Sequence, residues 1–161
     1  MSAAKRAARK SPRTNLVKLR TEEPEWRKID AGKLRRAARL ALRSAQQSGD
    51  VTVLLANDLR LAELNRRFRR KSGPTNVLSF PSREKGYLGD VAIAFGIMSR
   101  EAASAGKNPA NHAIHLVVHG VLHLLGYDHK TAREARIMES LEAEILSQMG
   151  IADPYRSERH T

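Results

Sequence analysis

Residues 108–129 read "NPANHAIHLVVHGVLHLLGYDH". Asn108 is a helix cap, Pro109 suits the first helical position, and Gly126 is the stop, which predicts a helix running to Leu125. Working outward, "DVTVLLAN" at 50–57 alternates as a strand, and "YLGDVAIAFGIM" at 87–98 is predicted to be another. "NLVKLR" at 15–20 and "GPTNVLSFP" at 73–81 are short strands, the second ended by Pro81. A helix is predicted over 30–49, capped by Asp30 and stopped by Gly49. A second follows over 58–70, with Asp58 as cap and Leu61, Leu64 and Phe68 on one side. "SREAASAG" at 99–106 is a short helix. The last helix starts at Thr131 with Glu134 as a capping box, burying Ile137, Met138, Leu141, Ile145 and Met149. Mixed helices and strands, with helices clustered at the end, predict an α+β fold. Its small mixed sheet packs with helices, and a metal site lies on a central helix and the turn after it.

His112, His115, His119 and His123 fall on one stripe of that helix. Histidines at i and i+4 can share one metal ion. His115 and His123 are two turns, about 12 Å, apart, too far for two bonds of about 2 Å to one zinc. The third ligand must come from beyond the straight helix. Gly126 can take the left-handed conformation and return the chain, so His129 can face His119 and His123. Three histidines with a position left for water is the pattern of catalytic zinc. The spacing H-x-x-x-H-x-x-G-x-x-H is that of metzincin proteases, but Gly120 replaces the glutamate that shuttles protons in peptide cleavage. An amine is a poor leaving group, so a peptidase is disfavoured. Phosphodiester cleavage places charge on non-bridging oxygens, which a metal and an arginine can meet. His112 and His115 are expected beside the site rather than in it. Asp128 is either an orienting carboxylate or a turn residue.

The chain has 161 residues, 41% of them apolar, and a formal charge of +12 from 29 basic and 17 acidic residues. Residues 1–14 are predicted to be a disordered basic tail, and 15–161 one hydrolase domain. The tail holds five of the basic residues, so the rest is basic too and a polyanionic partner is expected. Cysteine is absent, which excludes disulfides and thiolate ligands and fits a reducing, cytoplasmic setting. No apolar run reaches the roughly 20 residues of a membrane span. Arg66, Arg67, Arg69, Arg70 and Lys71 crowd beside a Gly-Pro turn and suit contacts to a phosphate backbone. Aromatic residues are only 4% of the chain, so phosphate contacts rather than base stacking should dominate.

In order, "LNRRFRRKSGPTNVLSFP", "LGDVAI", "HLVVHGVLHLLGYDH", "MESLEAEIL" and "DPY" resemble the bacterial YbeY family over about residues 50 to 156. The resemblance implies a single-domain, metal-dependent endoribonuclease that cleaves single-stranded RNA. It further implies roles in 3′-end maturation of small-subunit (16S) rRNA and in ribosome quality control, with the ribosomal small subunit as partner. It carries one zinc ion onto His119, His123 and His129. It carries the family's functionally important arginine onto Arg69, which here follows Phe68 in place of the usual tyrosine. Arg69 and His119 are the expected catalytic residues, and Arg66, Arg67, Arg70 and Lys71 the expected substrate contacts. Asn76 stands where many members have aspartate and is read as a positioning or turn residue. Asp90 is the nearest motif carboxylate. No specificity for DNA is expected. Two rivals stay open at this point: a zinc peptidase, and a non-catalytic RNA-binding assembly factor with structural zinc.

Overall fold

The computed structural model describes residues 15–69 and 75–156. The expected tail at 1–14 lies outside them, as do Arg70 and Lys71. Strands β1 (Val17–Thr21), β2 (Asp50–Ala56), β3 (Val77–Pro81) and β4 (Tyr87–Ala94) form one sheet in the order β1-β2-β4-β3. β1, β2 and β4 are parallel, and the edge strand β3 runs antiparallel to β4. Helices α1 (Ala31–Ser44), α2 (Asp58–Arg69), α3 (Phe95–Ser104), α4 (Pro109–Leu124) and α5 (Ala132–Ser147) complete the α+β fold. A 3-10 turn, Pro24–Lys28, follows β1 and buries Trp26.

Alternation along the strands divides the core in two. Val51, Val53 and Leu55 of β2, with Val91 and Ile93 of β4, join the main cluster with α1, α4 and α5. Ala92 and Ala94 face the other way and pack with Leu61 and Leu64 of α2. α4 lies against β3 and β4, with Ala113, Ile114, Val117, Val118 and Val121 buried. Among the described residues no helix is long and apolar enough to cross a membrane.

The structure corrects four expectations. The strand predicted over 87–98 ends at Ala94, and Phe95 begins α3. Ala94 provides no side-chain cap, so the N–H of Ile97 donates instead to Asp58 Oδ1 at 2.9 Å. Asp58 therefore does not cap its own helix; Asn57 Oδ1 does, accepting from the Arg60 N–H at 2.8 Å. α1 stops at Ser44, not near Gly49, because Gln46 takes φ 53° and breaks the helix earlier. Ile137, expected on a buried side, is 50% exposed, and Phe68, which shares a helix side with the buried Leu61 and Leu64, is 60% exposed. Phe68 leaves its stripe to pack edge-on against Phe80, ring centroids 5.7 Å apart.

Candidate metal centre

α4 carries the centre, and both its ends are built as expected. Asn108 Oδ1 accepts from the N–H groups of Ala110 and Asn111 at 2.8 and 3.3 Å. Leu125 closes the helix, and Gly126 at φ 99° sends the chain back. His129 then returns to the helix face, its ring 5.6 Å from that of His119 and 5.2 Å from that of His123. One ring nitrogen from each of the three lies within 4.8 Å of the others.

Two observations test whether a metal ion fits. His119 Nε2 and His123 Nε2 stand 3.1 Å apart. Tetrahedral zinc with bonds of about 2.0–2.1 Å holds two nitrogens about 3.3 Å apart, close to this spacing. The second is the state of the His123 imidazole. Burial pushes the His123 pKa down, and neighbouring His119 and His129 add to it. The neutral imidazole is the ligand form. Three imidazoles and no thiolate suit a borderline metal such as zinc.

Behind His119 lies a residue that motif reading missed. Glu142 of α5 is buried, 1% exposed. Its Oε2 accepts from His119 Nδ1 at 2.8 Å, and its Oε1 from His115 Nε2 and the Tyr155 hydroxyl, both at 2.6 Å. Burial alone raises a carboxyl pKa, but the hydrogen bonds and charge of His115 and His119 outweigh it and hold Glu142 at about 2. Glu142 did leave a signal. It stands four residues after Met138 and three before Ile145, a lone acid on an apolar stripe.

His115 thus lies beside the site, as expected, and His112 contacts Glu101 at 2.9 Å. Glu101 also accepts from the Asn76 side chain at 3.1 Å, which holds Asn76 at the cleft wall. Gly120 faces the sheet. A Cβ there would stand 2.5 Å from Val91 Cγ1, and its carbonyl accepts from the buried Ser79 hydroxyl at 2.8 Å. The missing glutamate thus has a packing cause.

The three histidines open onto a cleft of about 1210 Å³, whose walls include Asn76, Ser79, Phe80 and Arg69. Its volume exceeds the roughly 300–1,000 Å³ of a small-molecule pocket, and its shape is open, as an extended ligand requires. Arg69 donates to the Ser79 carbonyl and lies over the Phe80 ring, 5.8 Å from its centroid. Arg66 and Arg67 are exposed and do not line the cleft; Arg67 covers Phe68 instead, at 5.4 Å. Asp90 is on the sheet face away from α4, bonded to the Tyr87 hydroxyl, and is no part of the centre. Asp128 accepts from the backbone N–H of His129 at 2.8 Å, which makes it the turn residue of its two readings.

Comparison with known proteins joins these features to a family. A Novosphingobium aromaticivorans protein described as Endoribonuclease YbeY is 45% identical over 148 residues, covering 83% of this chain and 89% of its own. One from Dinoroseobacter shibae with the same description is 39% identical, covering 91% and 93%. The solution structure of a Thermotoga maritima protein shares the fold at TM-score 0.59 and 23% identity, over 86% of this chain and 98% of its own. The family model for Endoribonuclease YbeY matches residues 18–150, a span that contains the three histidines, Arg69 and Glu142 alike. With fold, histidine spacing and sequence in agreement, the chain belongs to the Endoribonuclease YbeY family.

Proposed function

We propose that this protein is a zinc-dependent endoribonuclease for single-stranded RNA. Its biological role on this reading is 3′-end maturation of small-subunit rRNA and ribosome quality control, with the ribosomal small subunit as its partner. The observation that carries the reading is the meeting of three imidazoles and an arginine on one open cleft. The relatives named as endoribonucleases supply the substrate class.

His119, His123 and His129 would hold the ion. Zinc, when bound, supplies Lewis acidity toward water and toward a phosphoryl oxygen. Arg69 binds the scissile phosphate and opposes the charge that grows on its non-bridging oxygens. One of its five N–H donors is spent on the Ser79 carbonyl, which fixes the guanidinium and leaves the others for phosphate. The Phe80 ring beneath it limits its swing. Lys130, on the cleft rim after the histidine turn, adds a second positive charge toward the backbone. Among the described residues Asp128 is the carboxylate lining this cleft, and its Oδ1 already accepts from the turn. The attacking oxygen is either water or the ribose 2′-hydroxyl, and the products separate them: a 2′,3′-cyclic phosphate marks attack by the ribose.

The decisive experiment measures metal content by mass spectrometry in wild type and His129→Ala, with RNA cleavage assayed on both preparations. Wild type should carry one zinc per chain and cleave single-stranded RNA, and the variant should lose both. Equal metal in the two proteins would sink the three-histidine site. The parallel preparation also controls for contaminating nuclease.

A further inference from the structure

We propose that Glu142 is a positioning residue for the metal centre, held in place by His115 and Tyr155. It sets the His119 imidazole so that Nε2, the nitrogen beside His123, is left to bind the ion. This rests on the reading that His119, His123 and His129 bind a metal.

The carboxylate is 1% exposed. Among the described residues its ion-pair partners are His115 and His119, and no lysine or arginine reaches it. The hydrogen bonds decide the tautomer. An ionised carboxylate only accepts, so the 2.8 Å contact places the His119 proton on Nδ1. Nε2 is then a bare lone pair, and it is the atom 3.1 Å from His123 Nε2. Carboxylate–histidine–metal triads have this form.

Two further side chains fix the carboxylate itself. His115, one turn before His119 on α4, takes Oε1 at 2.6 Å. The Tyr155 hydroxyl takes the same oxygen at 2.6 Å, and its backbone N–H is tied to Asp153 Oδ1 at 2.8 Å. This gives the "DPY" segment at 153–155, which is not part of the cleft lining, a part in the metal centre. It also explains a histidine on the metal-binding stripe that reaches no metal.

The test uses the purified full chain stripped of metal. Zinc affinity is measured by competition with a chromogenic chelator. The His119 tautomer is read by nitrogen NMR, and thermal unfolding of the metal-free proteins is followed alongside. Glu142→Gln should weaken zinc binding roughly 10–100-fold. It should also move the His119 proton from Nδ1 toward Nε2 in a chain that still folds. Tyr155→Phe, which leaves every metal ligand and the carboxylate intact, should weaken zinc in the same direction by a smaller factor. Unchanged zinc affinity in folded Glu142→Gln would overturn the assignment. If that variant does not fold, metal-free wild type decides alone, since a His119 protonated on Nε2 overturns it equally. A wild type that binds no zinc at all fails earlier, at the three-histidine reading, so the two failures are told apart.

Discussion

An ideal Cβ on Gly120 would meet Val91 Cγ1 at 2.5 Å, so α4 can lie this close to β4 only where position 120 has no side chain. Gly120→Ala should destabilise the protein by about 1–3 kcal/mol, read as a lower urea midpoint. A variant as stable as wild type would show that the helix can lift away without penalty. Arg69 gives the complementary case, since it is exposed and its removal should spare the fold. Arg69→Glu should lower kcat/KM on single-stranded RNA by about 100-fold or more, while stability to urea falls only by about 0.5–1.5 kcal/mol from the lost bond to Ser79. Cleavage at the wild-type rate would remove Arg69 from the mechanism. The grouping of His119, His123 and His129 was legible in the sequence because helix period and a glycine stop are local rules. Glu142 was not assigned because its role depends on how α5 meets α4. A lone acid on a buried stripe marks a position without saying which partner awaits it.

Two neighbouring helices show how elements hold the cleft wall. α3 begins without a cap of its own and relies on Asp58, 39 residues earlier in the chain, which also pairs with Arg100 at 2.7 Å. No window on residues 87–98 contains that carboxylate, which is why the segment reads as one long strand. Asp58→Ala should cost about 0.5–2 kcal/mol, measured by urea unfolding, through loss of the α3 cap. α4 and α3 are joined at His112 and Glu101. Burial lowers the His112 pKa below 6.5, against the pull of Glu101. Its Nδ1 is buried and has no hydrogen-bond partner among the described residues, so a proton there would lack an acceptor. The unfolded chain binds this proton more readily than the folded one. The neutral ring therefore contributes stability that is full above pH 6.5 and is lost as pH falls below it. His112→Gln should flatten that part of the stability–pH curve of the metal-free protein. An unchanged slope would place the proton uptake elsewhere.

Over the whole molecule, the charge of +12 favours a polyanionic partner, as the proposed RNA substrate is. If Arg69 and Lys130 each neutralise one phosphate, the slope of log affinity against log salt should be about −1.4 for a single strand. Fluorescence anisotropy on a labelled oligonucleotide measures it, and a flat salt dependence would remove the phosphate contacts from the reading. The α+β class, the helix order and the small mixed sheet were legible, since period and turn residues mark each element. Which sheet face α4 covers was not, and that choice sends Asp90 away from the histidines. One strand residue ties the parts of the cleft together: the Ser79 hydroxyl donates to the Gly120 carbonyl, and the Ser79 carbonyl accepts from Arg69. The histidine-bearing helix and Arg69 are therefore gauged from a common datum. When β3 shifts, both ends of the cleft shift together and their separation keeps its tolerance. That benefit ends where an edge strand frays, so heating should silence cleavage a few degrees before the helices melt.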